Sequence, residues 1–232
     1  MTLGTATPHS FFPDAAASDE ATVSSALLSV FRGKFCKTLL PGRTPIRLTA
    51  GEVLYDIGDQ NRSMFFIQKG YDGCEIIYDV RTDGDVVGEL CAARMPRRDR
   101  GIALEPSLAI EVSYSEVLAT LAGYPELLAA LIEIFCNCLS DAYDQITTLA
   151  THDLSGRVVH ALLNVAEKLG QRNGDAIEIP AYLTQEEISQ MVGARRERVS
   201  TTLNSLRRRG LVDYSRRGRL ILYMAGLRNL IA

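Results

Sequence analysis

From Pro125 to about Thr151 the chain contains no glycine and no proline apart from the one that opens the stretch. Proline is tolerated in a helix at its first position, so one long helix is expected there, a rod of roughly 40 Å around which the rest must be arranged. The sequence upstream of it differs in kind. Ile46–Leu48, Val53–Tyr55, Met64–Gln68, Ile76–Val80, Val86–Leu90, Ile102–Leu104 and Ala109–Val112 are short apolar runs, parted by Ala50-Gly51, Gly58-Asp59, Gly70, Gly73, Gly84-Asp85 and Pro106. Short strands at that spacing predict a β-sandwich or β-barrel. Residues 1–24, rich in Ser, Thr and Ala without a period, read as a loosely ordered arm.

With 232 residues, of which 47% are hydrophobic and 23% charged, the chain is long enough for two domains and a real core. No run reaches the ~18 uncharged apolar residues of a membrane span, and the N-terminus lacks the basic and apolar regions of a secretory signal. A cytoplasmic protein without membrane contact is the expectation. Five scattered cysteines, Cys36, Cys74, Cys91, Cys136 and Cys138, form no CxxC pair, which argues against both a disulfide framework and a zinc knuckle.

The net charge of −3 conceals an asymmetry, because residues 181–232 hold ten Arg against four acids. A basic end on an otherwise acidic chain suggests a polyanionic partner. Within that end, Thr184-Gln185-Glu186-Glu187 is a capping box that starts a helix at Gln185 and stops at Gly193. A second amphipathic segment runs from about Arg195 to Arg208, with Val199, Leu203 and Leu206 on one face. Two helices joined by a tight glycine turn make a helix-turn-helix. Leu211–Tyr214 and Leu220–Tyr223 then flank Ser215-Arg216-Arg217-Gly218-Arg219, a hairpin wing with a basic tip.

The face opposite Val199 and Leu203 presents Arg195, Arg196, Glu197, Ser200 and Thr201. Arg pairs with guanine O6 and N7, Glu accepts from cytosine N4, and hydroxyls contact several base edges. Arg216 and Arg217 in the wing suit phosphate contacts. The alternative is a winged helix used for protein contacts alone.

Along the long helix, Leu128, Leu131, Phe135, Cys138, Ala142, Gln145 and Leu149 recur in steps of three and four, the a/d spacing of a coiled coil. The stripe is read as a dimer seam, with Leu127, Ile132, Leu139 and Ile146 left to pack on the chain's own β-region. The converse, a stripe packed on its own β-region, stays open. Cys138 on the seam would face its symmetry mate, which makes an inter-chain thiol switch conceivable. A second helix is expected from about Leu154 to Leu169, with Asp153 as N-cap and Gly170 as its stop, then a short strand Ile177–Ile179.

These features together resemble the bacterial Crp/Fnr superfamily of transcription regulators. The resemblance covers roughly residues 26–232 and is carried by Gly51-Glu52 and Gly58-Asp59, Gly84-Asp85-Val86-Val87-Gly88-Glu89-Leu90, Asp153-Leu154-Ser155-Gly156-Arg157, and Gly193-Ala194-Arg195-Arg196-Glu197-Arg198-Val199. It implies an α+β fold: a cyclic-nucleotide-binding-like β-roll (a jelly roll) over 25–122, a dimerisation helix over 123–153 and a winged helix-turn-helix over 154–232. The implied partners are double-stranded DNA with a palindromic operator, a second copy of the chain, and RNA polymerase.

The resemblance places an effector site at Gly88, Glu89, Leu90 and Arg100, with Tyr143 facing it from the long helix. Departures from the cyclic-nucleotide members concern this site. Gly101 stands where those members carry Ser or Thr, and Ala142 and Tyr143 replace their adenine-contacting Thr-Ser pair, so cyclic AMP is not the expected effector. With only Cys36 ahead of Cys74, an iron–sulfur cluster is not expected. Haem through His152 or His160, and a β-roll that binds no ligand, remain alternatives, and no cofactor is assigned. All three histidines lie outside residues 46–117, so a metal-dependent cupin enzyme is excluded, and no GxSxG, P-loop or GxGxxG pattern is present.

Overall fold

The computed structural model describes residues 40–69, 72–73, 80–81, 85–92, 95–179, 183–215 and 218–231. The expected N-terminal arm, Arg216 and Arg217, and residues 76–79 of the expected strand Ile76–Val80 lie outside them.

Among the described residues, seven strands precede the long helix: β1 (Ile46–Leu48), β2 (Val53–Tyr55), β3 (Ser63–Lys69), β4 (Asp72–Gly73), β5 (Val86–Val87), β6 (Gly101–Ala103) and β7 (Ser107–Ser113). They form two antiparallel sheets in the orders β1-β7-β3-β5 and β2-β6-β4. β3 lies between β5 and β7 and is covered on both faces, which is why its sequence is a continuous apolar run rather than an alternation. Successive side chains point to opposite faces. Phe65 and Ile67 join Tyr55, Val87 and Ala109 in one cluster, while Met64 and Phe66 join Ile110 and Val112 in another that also takes up residues of the following helices.

Those helices are α1 (Tyr114–Gly123) and α2 (Pro125–Thr151). α1 is absent from the sequence expectation, yet it starts with a full capping box: the Ser113 hydroxyl accepts from the Glu116 N–H, and the Glu116 carboxylate accepts from the Ser113 N–H. α2 has its proline at the first position and ends where expected. Val117 and Leu121 of α1 and Leu127, Ala130 and Leu131 of α2 bury into the β-roll.

α3 (Leu154–Leu169) begins with the Asp153 carboxylate accepting from the Gly156 N–H and stops at Gly170, as the sequence indicates. A hairpin of β8 (Gln171–Asn173) and β9 (Ala176–Glu178) follows, then α4 (Gln185–Met191), α5 (Arg196–Arg208), β10 (Val212–Tyr214), β11 (Leu220–Leu222) and α6 (Met224–Arg228). The four strands form one sheet in the order β10-β11-β9-β8. α3 supplies Val158, Leu162 and Leu163 to a core shared with Ile188, Val192, Val199, Leu203, Leu206 and Leu222. That core fixes the two helices of the helix-turn-helix against each other, and Gly193, at φ +60°, makes the turn between them.

Candidate nucleic-acid interface and effector pocket

α4 starts at Gln185 because Thr184 caps it: the Thr184 hydroxyl accepts from the Glu186 N–H, and the Glu187 carboxylate accepts from the Thr184 N–H and hydroxyl. After the Gly193 turn, α5 buries Val199, Leu203 and Leu206. Its other face is open: Arg195, Arg196, Glu197 and Thr201 are exposed, and Ser200 is half-buried at the flank. The Thr201 hydroxyl donates to the Glu197 carbonyl at 2.9 Å, which leaves its oxygen as an acceptor and its methyl outward. Glu197, Thr201, Asn204 and Arg208 follow one another in steps of four and three, and all four are exposed. Arg208 is one of nine Arg between 195 and 219 that the sequence offers as phosphate contacts; Asn204 is not among the expected residues, although helical periodicity counted from Glu197 reaches it.

Not every arginine of the basic end is available to phosphate. Arg207 pairs with Asp213 at 3.0 Å and lies over the Tyr214 ring, and Arg219 pairs with Glu178 at 3.6 Å. The first pair ties α5 to β10 of the wing, and the second ties the wing to β9. Arg195, Arg196, Arg198, Arg208 and Arg209 are exposed. The wing hairpin pairs Val212 with Leu222 and Tyr214 with Leu220.

The long helix corrects the expected seam. Leu131 is 7% exposed and packs with Leu127 and Val117 in the β-roll core, with Phe135 against the same cluster. Cys138 also turns inward, its Sγ 3.2 Å from an Arg81 guanidinium nitrogen. The exposed apolar residues are Leu128, Ile132, Leu139, Tyr143, Ile146 and Leu149. Leu128, Ile132, Leu139, Ala142, Ile146 and Leu149, with the half-buried Phe135 between Ile132 and Leu139, therefore make a second a/d series, one residue out of phase with the expected one at three positions. Of the four residues expected to pack inward, only Leu127 does so. The cause is α1, whose Val117 and Leu121 reach the flank of α2 that carries Leu127 and Leu131.

The loop after β5 also departs from expectation. Gly88, at φ +77°, ends the strand, and Glu89–Ala92 is a turn of 3-10 helix rather than a continuation to Leu90. The Cys91 N–H donates to the Gly88 carbonyl at 3.0 Å. A side chain at Gly88 would sit 2.8 Å from the Arg97 guanidinium. Arg97 is 4% exposed; it donates to the carbonyls of Ser63 at 2.6 Å and Gly88 at 3.4 Å and to Asn61 Oδ1, and lies 4.2 Å from the Tyr55 ring centroid. On the other side Arg62 donates to the carbonyls of Cys91 and Ala92. Two arginines thus hold the turn, and neither was singled out in the sequence, where Arg97 sits in an ordinary-looking charged run. Burial pushes the Cys91 thiol above its usual range.

Two of the expected effector residues, Glu89 and Arg100, have charged partners within the protein. Glu89 is paired with Arg81 at 3.5 Å, and the same arginine reaches Cys138. Arg100 is held by Asp56, Nε to Oδ1 at 2.6 Å, and that hydrogen bond keeps the Asp56 carboxyl below its ordinary value. Leu90 is 53% exposed, and Tyr143 on α2 is 60% exposed. Among the described residues no group of three or more His, Cys, Asp or Glu is placed to hold a metal ion.

Known proteins share both halves of this architecture. A family model described as a cyclic nucleotide-binding domain matches residues 45–124, and one described as a Crp-like helix-turn-helix domain matches residues 156–230. The chain belongs to the Crp/Fnr superfamily of transcription regulators. Among the relatives of this Crp/Fnr regulator is the CRP-like cAMP-activated global transcriptional regulator of Mycobacterium tuberculosis, 27% identical over 177 residues that make up 72% of this chain and 79% of that protein. The cAMP-activated global transcriptional regulator Vfr of Pseudomonas aeruginosa is 29% identical over 180 residues, 72% of this chain and 83% of the relative. Among solved structures, FixK2 from Bradyrhizobium japonicum superposes with a TM-score of 0.70 at 18% identity, over 82% of this chain and 98% of that one, a likeness of fold. The protein is a transcription regulator with a DNA-binding helix-turn-helix domain. No helix among the described residues is long and apolar enough to cross a membrane.

Proposed function

We propose that the protein works as a cytoplasmic homodimer that reads a palindromic operator, with the outer stripe of α2 as the seam, the exposed face of α5 as the reading surface, and RNA polymerase as the partner through which bound protein acts. The exposed heptad series on α2 carries this reading. Leu139 and Ile146 are 51% and 61% exposed in a single chain, and a continuous apolar stripe of this kind is buried by a second copy in a two-stranded coiled coil. Two-fold symmetry then sets two copies of α5 about one helical turn of DNA apart. In base contact, Arg196 and Glu197 suit guanine and cytosine; Ser200, Thr201 and Asn204 add hydroxyl and amide partners, and Arg195, Arg208, Arg216 and Arg217 suit phosphates. The division into an effector-binding-like β-roll (25–122), dimer helix (123–153) and DNA-binding domain (154–232) follows from this.

The β-roll senses an effector other than cyclic AMP. Gly101 offers no hydroxyl to a phosphate, and Glu89, which would accept from a ribose hydroxyl, is paired with Arg81. A buried site that loses hydrogen-bond partners discriminates by about 1–3 kcal/mol per unpaired group. The same ion pair favours a second reading, a β-roll that holds α2 without any ligand and leaves the regulator constitutively competent. Footprinting the purified protein on selected promoter fragments, alone and with cytosolic small-molecule extract, separates the two. Two protected half-sites are expected in either case; dependence on extract identifies the sensor, and indifference the constitutive form. Protection of one half-site by a monomer contradicts both.

A further inference from the structure

We propose that His152 and His160 form a proton-operated clasp at the joint between α2 and α3, closed while both rings are neutral and opened when the pair takes up a proton on mild acidification. His152 is the residue at which α2 ends, in extended backbone, and Asp153 starts α3 immediately after it. The His152 side chain lies against the new helix. A Cβ at Gly156 would stand 3.0 Å from both His152 Cβ and His152 Nδ1, so the histidine rests on bare glycine backbone there. His160 is one turn further along the same face of α3, and its ring centroid is 4.6 Å from that of His152, with the two planes tilted by 51°. Two imidazoles in contact thus span the joint.

The surroundings disfavour a proton on this pair. His160 Nε2 is shut off from solvent and has no hydrogen-bond partner among the described residues. A neutral imidazole leaves one nitrogen without a hydrogen, whereas the cation carries an N–H on both. A buried N–H with no acceptor is a state that only the neutral ring avoids. Burial first, and then the His152 ring, hold the His160 imidazole below its ordinary value of 6.5. The charged groups around the joint do not reverse this. On α2, Asp141 is paired with Lys168 at 3.7 Å, and Asp144 lines the same cleft as the two histidines. On α3, the Asp153 carboxylate accepts from the Gly156 N–H, Glu167 is paired with Arg228 at 3.2 Å, and Arg157, three residues before His160, is itself a cation. Met191 and Val192 of α4 and Val80 ahead of β5 bring no charge.

A base held below its ordinary value in the closed joint and restored to it in the open one favours the closed form above pH 6.5, and that preference is lost as pH falls below it. One proton moves the balance by at most about tenfold per pH unit. The joint is a point of leverage, because α3 shares its core with Val199 and Leu203 of α5; α5 therefore follows α3 when the angle to α2 changes. That consequence, weaker operator binding in acid, rests on the proposed DNA-reading dimer, whereas the clasp itself does not.

The clasp is read on the full-length protein without DNA, from the nuclear Overhauser cross-peak between carbon-bound ring protons of His152 and His160. The chain has three histidines, and His9→Gln, His152→Gln and His160→Gln assign their signals. The cross-peak is expected at about pH 7.5 and should fall by at least about half at about pH 5.5, while that between the stacked Tyr55 and Phe65 rings of the β-roll stays. A His152–His160 cross-peak that keeps more than about half its intensity at about pH 5.5, or one lost together with the Tyr55–Phe65 cross-peak, overturns the proposal. In the second arm, operator affinity in the parent should fall about three- to tenfold between the same pH values beyond any fall in His160→Gln. If circular dichroism shows His160→Gln to be unfolded, His152→Gln carries the same comparison. A fall that the variant shares leaves the clasp standing and removes its hold on DNA reading. A failed operator footprint leaves the ring result untouched, so the two readings fail separately.

Discussion

The helix-turn-helix and the β-roll turn both use charged side chains at the mouth of a glycine turn, but to opposite ends. After Gly193, α5 buries three aliphatic residues and leaves Arg196 and Glu197 in solvent. After Gly88, the charges are turned on the protein itself: Arg97 and Arg62 hold the turn's carbonyls, Arg81 neutralises Glu89, and Asp56 holds Arg100. A surface that reads an external polyanion must keep its cations unpaired, because an internal partner has to be displaced before DNA is gained. A cassette whose charges are internally matched gains little from one more anion. On the proposed function, this difference leaves the DNA-reading face open while the cassette's charges are already matched.

The largest effect is expected at the long helix, where the contrast depends on which stripe faces outward. Leu139→Glu combined with Ile146→Glu should lower operator affinity at least about a hundredfold by splitting the dimer, with circular dichroism unchanged. Leu131→Ala, by contrast, should cost about 2–5 kcal/mol of stability as a core cavity. Sedimentation equilibrium and urea unfolding distinguish them, and a reversal of the two phenotypes would restore the seam through Leu131. Next in size, Arg97→Ala should destabilise the protein by about 3 kcal/mol, since several buried acceptors lose a charged donor together. An unfolding midpoint like that of the parent would show the turn to be held by other groups.

On the open side the effects are smaller and more selective. Glu197→Ala should relax discrimination at one base pair by roughly 1–3 kcal/mol, whereas Arg208→Ala should weaken all sequences alike and lower the salt slope by about one. Competition binding with single-base operator variants reads both, and equal losses on operator and random DNA for Glu197→Ala would remove it from the reading surface. The smallest effect concerns acid stability. The Ser113 hydroxyl, the Arg43 guanidinium and the Ser113 N–H bring the Glu116 carboxyl down from 4.5 to about 2. A depressed carboxyl stabilises the fold above its unfolded value and loses that contribution as pH falls. Glu116→Gln should therefore be less stable than the parent at neutral pH, with the gap closing between pH 4.5 and 2 in pH-dependent unfolding.

Much of this was legible in the sequence wherever a local signal coincided with a tertiary one. α2 and α3 were read to their ends because Pro125, Asp153 and Gly170 act through the backbone alone. α4 was legible for the same reason, through Thr184 and Glu187. The capping box at Ser113 and Glu116 was equally available and would have revealed α1, and Asn173-Gly174 is a hairpin turn signal that marks the missed β8. The phase of the seam was not legible. Leu131 and Ile132 are both apolar, the two a/d series share Leu128, Phe135, Ala142 and Leu149, and only the packing of α1 decides between them. Arg97 was hidden for a similar reason: nothing in the run Arg97-Arg98-Asp99-Arg100 distinguishes the one guanidinium that stacks inside the β-roll from the other two.

The contrast between an open reading face and an internally paired cassette is tested most directly by titrating operator binding with cyclic AMP. Protein dialysed free of nucleotide is measured by fluorescence anisotropy on a duplex selected in vitro by that same protein, with and without about 100 μM cyclic AMP, a concentration that saturates a micromolar site. The paired state of Glu89, the glycine at 101 and the exposed Tyr143 predict that affinity for the duplex changes by less than about twofold. Affinity that rises tenfold or more at micromolar cyclic AMP would contradict the account, because it would mean that Arg81 yields Glu89 to the nucleotide.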